Sequence, residues 1–414
     1  MKMFFVKKYI LAVLIFVSTA LLGTLTLVYN ENAIKYDARK IFDSGSKYES
    51  LKGKIENIGE NNKIIDEAIR KNIFGKYELA ELYGGVQRLI LKSEMQSFAF
   101  IKDNRGYVYN GAFYVDKDEN IFEYARRIGR LKEHMEEKQG RALFVSYPEK
   151  SWIAKDYESG LPIRDYGYVQ DELLAGIMKN RGDYLDLRTA FDKMGVDKEH
   201  IYYKTDRRMT TYGSFKVFQA IVAEIDRRYG VNLDPDGTYT EIYNYAVEVY
   251  PDIFLGDMAT ASGRVFFGTD DLEIYNSEIK EEFIWHYIDD KGRSFVKSGN
   301  KNILLEKNYI ESNKLFNNIY SSNLMKVFLN KYNQWDKIVN VKNPDGPKIL
   351  CVRDESFSQV AMFLAPLCSE IQLISPATGD IDVEDYIEEN DFDYVIVAFT
   401  AGHISDDYFD FFES

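Results

Sequence analysis

KILCVRDESFSQVAMFLAPLCSEIQLIS, residues 348–375, joins two buried-strand candidates, the apolar run 349–352 and the mostly apolar 371–374, through a helical stretch from about 357 to 368. Apolar runs of this length without polar alternation are expected for strands buried on both faces, as in a parallel sheet covered by helices. A third run, 394–399, follows a helical pattern near 383–389. Upstream, a helix over about 121–138 leads to the apolar run 142–146, which Pro148 ends, and a helix near 169–180 precedes a strand at 184–187. This alternation predicts an α/β fold with a parallel sheet flanked by helices.

Between the two α/β stretches, residues 239 to about 295 are rich in β-branched and aromatic residues broken by Gly256, Gly263, Gly268 and Gly292. They read as antiparallel strands and turns, a β-rich insertion over 239–330. The α/β domain is then divided into 97–238 and 331–414. Residues 31–96 read as a helical stalk, with helical runs at 63–70 and 77–91.

The first thirty residues decide the compartment. From Tyr9 to Asn30 there is no charged residue, and 22 residues at helical rise span about 33 Å, the thickness of a bilayer's hydrocarbon. Lys2, Lys7 and Lys8 precede the run and Glu31 follows it. The positive-inside rule therefore places the N-terminus in the cytoplasm and the rest outside, as a single-pass protein of the cell membrane held by residues 9–30. Ser18-Thr19-Ala20 offers small residues for cleavage, so a removed signal peptide is the rival reading. The apolar run continues through Leu21, Leu22, Leu25 and Leu27, which favours the uncleaved anchor.

Composition narrows the function classes. The 414 residues carry 52 Lys plus Arg against 66 Asp plus Glu, a formal net charge of −14 that repels a phosphate backbone and argues against nucleic acid. Two cysteines give no disulfide framework, and His134, His200, His286 and His403 have no metal-ligand spacing. No cofactor or metal is expected. The 31 tyrosines fit core packing as well as stacking against sugars. Asp270-Asp271 beside Gly268 reads as a turn, with a cation or sugar contact as the rarer use. Ser146 and Ser375 end strands and read as turn residues, and Cys351 reads as a small apolar side chain.

The segment IYYKTDRRMTTYG, residues 201–213, resembles the signature of the DHHW family, which belongs with the alginate O-acetyltransferase-like (AlgX/AlgJ-like) proteins of the SGNH hydrolase superfamily. Phe254-Leu255-Gly256 with Gly263, the Gly268–Asp271 turn, Asn343-Pro344, Asn104–Tyr107 and Tyr147–Lys150 follow the same plan, so that the resemblance covers most of 98–399. It implies an SGNH-like domain outside the membrane that moves acetyl groups onto cell-surface polysaccharide beside a membrane-bound O-acyltransferase. Family members use a serine after a strand, with an Asp-x-His pair that holds and deprotonates it, because serine is inert until an imidazole takes its proton.

This sequence departs from that pattern. Asp206 keeps the family's Asp, but Arg207 and Arg208 stand at its two His positions. A guanidinium with a pKa above about 12 stays protonated and cannot act as the base. Aligned without a gap on residues 348–364, Asp354 falls on the family's Asp and Glu355 on the nucleophilic serine. A one-residue insertion makes Ser356 the nucleophile instead. The ungapped reading predicts a dead triad in which Arg208 forks onto Glu355, with Asp206 and Asp354 as further acceptors for Arg207 and Arg208. Function is then expected to be glycan or partner binding by a catalytically degenerate module. The alternative is an active O-acetyltransferase or esterase built on Ser356, Asp206 and His403, which follows the last strand at the sheet edge where α/β sites form.

Overall fold

The computed structural model describes residues 2–45, 65–66, 68–70, 72–111, 120–154, 160–260, 262–277, 279–316, 319–320, 324–330, 332–378 and 381–413. Residues 46–64 of the stalk, including the start of the expected helix at 63–70, lie outside the described residues. The chain forms two compact units, Met1–Tyr83 and Gly84–Ser414.

In the first unit, α1 (Lys2–Gly45) is one long helix. Its segment Lys8–Arg39 has 32 residues, the most apolar 18 of them with a mean hydropathy of 2.4, and is long and apolar enough to cross a membrane, as an anchor or as a signal sequence. The hydroxyls of Ser18, Thr19 and Thr24 donate to the carbonyls of Leu14, Ile15 and Ala20 one turn back. These polar groups are thereby satisfied within the helix itself. Helix α2 (Lys76–Leu89) leads into the second unit.

There a small antiparallel sheet, β1 (Glu94–Met95), β2 (Phe100–Lys102) and β3 (Val108–Asn110), precedes the α/β body. The body continues with α3 (Ile121–Glu137), β4 (Arg141–Tyr147), α4 (Gly167–Lys179), β5 (Tyr184–Asp186), α5 (Leu187–Met194) and α6 (Thr211–Tyr229). Next come β6 (Tyr245–Phe254), β7 (Asp270–Ser277), β8 (Phe283–Ile288), β9 (Ser294–Gly299) and β10 (Trp335–Asn340). It closes with β11 (Lys348–Arg353), α7 (Ser358–Leu364), β12 (Glu370–Ile374), α8 (Val383–Glu389) and β13 (Tyr394–Thr400).

The main sheet has eight strands in the order β5-β4-β13-β11-β12-β10-β8-β9. From β5 to β12 all pairs are parallel, while β10, β8 and β9 add on antiparallel, so the sheet is mixed rather than purely parallel. Residues 239–330 divide accordingly. Among the described residues strands β6 and β7 pair only with each other, whereas β8 and β9 extend the main sheet.

The central parallel strands are mainly apolar because each of them is covered on both faces, whereas the edge strand β5 is only partly buried. Along β4, Leu143, Val145 and Tyr147 join one core with Phe215, Phe218 and Phe363, while Ala142 and Phe144 join the other with Tyr124, Leu131 and Leu173. Strand β13 alternates in the same way, Ile396 and Ala398 against Val395, Val397 and Phe399. Burying a residue the size of Phe144 contributes about 2–3 kcal/mol relative to leaving it in water. The helix expected over 357–368 is shorter than its pattern, because Pro366 ends α7 in a tight turn of residues 365–367.

Candidate active site

Parallel register brings the ends of β4, β13 and β11 side by side, with Arg353 opposite Ala398 and Ala398 opposite Val145. Loops leaving these ends surround a cavity of about 240 Å³, lined among others by Tyr147, Glu149, Arg207, Arg208, Glu355, Ser356 and His403. Sites of open α/β sheets form at this carboxyl edge. The sequence-derived candidates are therefore gathered in one place, but not in the expected pairs.

The segment 201–210 forms the wall opposite the strand ends. Thr210 caps α6, its hydroxyl accepting from the Gly213 amide at 3.0 Å. Two glycines let backbones close in here: a β-carbon on Gly213 would sit 2.3 Å from the Ile201 carbonyl oxygen, and one on Gly256 would sit 2.3 Å from that of Thr205. Asp270 accepts from the amides of Lys204 and Thr205 at 2.7 and 2.8 Å, so this carboxylate braces the loop. Lys150, buried, donates to the carbonyls of Lys204 and Asp206 at 2.7 and 2.9 Å, and burial pulls its ammonium down to about 8.

Within this braced loop Arg208 turns back onto Asp206. Its Nε and Nη2 donate to the two carboxylate oxygens, both at 2.6 Å, and its amide donates to Oδ1 at 2.9 Å. Asp206 is wholly buried and Arg208 nearly so. Burial alone would raise the Asp206 carboxyl, but the Arg208 charge and hydrogen bonds overcome it and hold the group below the usual carboxylate range. The Arg208 guanidinium is pulled down by burial and raised further by Asp206, so it stays charged.

The fork expected between Arg208 and Glu355 is thus formed between Arg208 and Asp206, and Nη1 of Arg208 is buried without a hydrogen-bond partner. Glu355 accepts instead from Arg207 Nη2 at 2.9 Å, and Arg207 Nε lies 3.4 Å from Asp257. The physical reason is locality: a carboxylate two residues back is presented at a fixed angle by the turn, whereas Glu355 sits nearer the rim beside the half-exposed Arg207.

Asp354 likewise faces away from Arg207 and Arg208. Its Oδ1 accepts from the Ser356 amide at 2.8 Å, and Oδ2 accepts from the Thr400 amide at 2.7 Å and meets His403 Nδ1 at 2.8 Å. The carboxylate partner of His403 is therefore Asp354, while Asp206 serves Arg208. The His403 ring stacks on Tyr408 with centroids 4.5 Å apart. Burial lowers the imidazole, and the Asp354 hydrogen bond and charge outweigh it and raise it above its ordinary value. Burial raises Asp354, and the His403 bond and charge outweigh that and lower it. With Nδ1 donating to Asp354, Nε2 is left as the imidazole's acceptor in the neutral form.

Glu149, which sequence reasoning passed over as part of a motif, lines the same cavity and accepts from the Gly402 amide at 2.9 Å; burial raises its carboxyl. Its position directly after the apolar run of β4 was the available signal.

Linkage fixes how the His403–Asp354 pair responds to pH. The raised histidine adds stability that is full below about 6.5 and is lost as pH rises through its folded value. The lowered carboxylate adds stability that is present above about 3.9 and is lost as pH falls through its own folded value. The pair contributes most between about pH 4 and 6.5. An NMR titration should find His403 above its ordinary value, and Asp354→Asn should return it to or below that value. A His403 titration unchanged by Asp354→Asn would contradict the pairing.

Residues 108–264 match the model of the SGNH hydrolase-like domain of acetyltransferase AlgX. Among solved structures, PatB1 from Bacillus cereus with a sulfonyl adduct is similar at 17% identity and a TM-score of 0.57, over 76% of this chain and 97% of that one. A DHHW family protein from Eubacterium siraeum is similar at 15% identity and a TM-score of 0.55, over 78% and 99%. No functionally curated protein matches the chain.

Proposed function

Given an AlgX-type SGNH hydrolase-like domain over residues 108–264, we propose that this protein is a catalytically degenerate member of the acetylation machinery for cell-surface polysaccharide. It binds the glycan or a membrane-bound O-acyltransferase instead of transferring acetyl groups itself. In this reading residues 9–30 anchor it as a single pass with the N-terminus in the cytoplasm and the α/β body outside.

The observation that carries the reading is the double-pronged Arg208–Asp206 contact at 2.6 Å. The carboxylate that would orient a catalytic imidazole is fully engaged by a permanent cation, and no proton acceptor stands at that position. Glu355, set on the nucleophile's place by the ungapped alignment, is held by Arg207 and brings no hydroxyl that could carry an acetyl ester. What remains is a polar cavity in which arginine, carboxylate and tyrosine groups meet hydroxyl and carbonyl groups of a sugar by hydrogen bonds.

A second reading has its own support. Ser356 and His403 line one cavity, and Asp354 holds the His403 Nδ1 at 2.8 Å, as a triad's acid does. In that reading Ser356 is the nucleophile, His403 the base and Asp354, not Asp206, the orienting carboxylate. Binding separates the two readings when measured beside turnover. Retention of acetylated surface polysaccharide by the full chain, weakened at least several-fold by Arg207→Ala and untouched by Ser356→Ala, fits the binding module. Retention that Arg207→Ala leaves unchanged removes the cavity from the account.

A further inference from the structure

Within the second unit Gly84 packs closely on the segment around Ser262, where a β-carbon would lie 2.1 Å from the Ser262 carbonyl oxygen. Away from that contact, Val86, Leu89, Ile90 and Leu91 are 47, 82, 60 and 91% exposed. An apolar stripe at three- and four-residue spacing normally turns toward a core. Four such side chains within six residues facing solvent mark a contact surface.

Leu91 also lines a cavity of about 1000 Å³ together with Arg88, Lys92, Lys102 and Arg105. Lys92 and Arg105 have carboxylates beside them, Glu94 and Asp103, each at 2.7 Å. Arg88 and Lys102 donate instead to the main-chain carbonyls of Val265 and Phe266, at 3.1 and 2.6 Å. Among the described residues neither has a carboxylate at ion-pair distance, and Asp103, which also lines the cavity, offsets only part of the Lys102 charge. Burial and then the Arg88 charge pull the Lys102 ammonium down, a crowding that a bound anion would relieve. This local excess of positive charge stands on a chain of net charge −14.

We propose that this surface docks the α/β body onto a bilayer rich in anionic phospholipid, with Val86, Leu89, Ile90 and Leu91 entering the headgroup boundary and the cavity beside Arg88 and Lys102 receiving lipid phosphate. The proposal builds on the reading of residues 9–30 as a membrane anchor. Apolar side chains flanked by lysine and arginine are how a surface holds an anionic membrane without spanning it. A soluble polyanion would engage the cations alone and leave Leu89 and Leu91 in water.

Both native cysteines, Cys351 and Cys368, are buried, so Leu89→Cys in the full chain offers one accessible thiol for an environment-sensitive NBD label. Tyr243→Cys, at a position 78% exposed, is the control. The labelled chains are reconstituted in phosphatidylcholine vesicles with and without phosphatidylglycerol, floated, and challenged with doxyl-lipid quencher. The label at 89 should be quenched several-fold more than at 243 when phosphatidylglycerol is present, and Arg88→Glu/Lys102→Glu should abolish the difference. Chains that float with equal quenching at 89 and 243 overturn the docking and leave the anchor standing. Chains that do not float overturn both. A label at 89 that responds to soluble polygalacturonate and not to phosphatidylglycerol assigns the cavity to an anionic glycan and overturns the membrane proposal.

Discussion

A Glu355→Ser/Arg208→His double variant should hydrolyse acetyl esters at least ten- to a hundred-fold faster than the wild-type chain. In a hydrolytic triad, loss of nucleophile and base together removes a factor of about a million in turnover, so even a poorly aligned restoration is measurable. The geometry favours the attempt. Arg208 Nε donates to Asp206 Oδ1 at 2.6 Å, and a histidine there has an Nδ1–H to give the same oxygen. Residues 208 and 355 line the same cavity, so the restored imidazole and hydroxyl face one common space. Either single variant should remain near background, because a serine without a base and a base without a nucleophile each fail. A double variant no faster than the singles would mean that residue 355 does not occupy the nucleophile's place.

The second large effect is on stability. Arg208→Ala leaves the wholly buried Asp206 carboxylate facing only main-chain amides and should destabilise the fold by about 3–5 kcal/mol, the usual result of stripping one partner from a buried ion pair. Asp206→Asn/Arg208→Met removes both charges together and should cost far less, within about 1–2 kcal/mol of wild type. Because the Asp206 carboxyl is held below its ordinary value, the wild-type advantage over Arg208→Ala exists above about pH 3.9 and shrinks as pH falls through the folded value. Urea unfolding at neutral and acid pH measures both trends. A single variant as stable as the double one would show that the pair is solvated and contributes little.

The fold was legible where burial is two-sided. Strands 141–147, 348–353, 370–374 and 394–400 are covered on both faces, so that 142–145, 349–352 and 394–399 read as apolar runs in the sequence, while Gln372 interrupts the fourth. Strands β8 and β9 were legible as strands but not as members of the main sheet, since alternation along β8 gives a period and not a partner. The same limit governed the site. That residues 206–208 and 354–356 would meet followed from the resemblance, but the pairing within the cluster did not. Asp354 and His403 stand 49 positions apart and are joined by the register of β11 against β13. Arg208 chose the carboxylate two residues away over Glu355 because the turn presents Asp206 to both its amide and its side chain.

The decisive measurement is acetyl-ester hydrolysis by the full wild-type chain beside its Ser356→Ala and His403→Ala variants. The account predicts three rates indistinguishable from the buffer reaction. A wild-type rate well above buffer that Ser356→Ala abolishes would contradict it, and would assign catalysis to Ser356 with the His403–Asp354 pair.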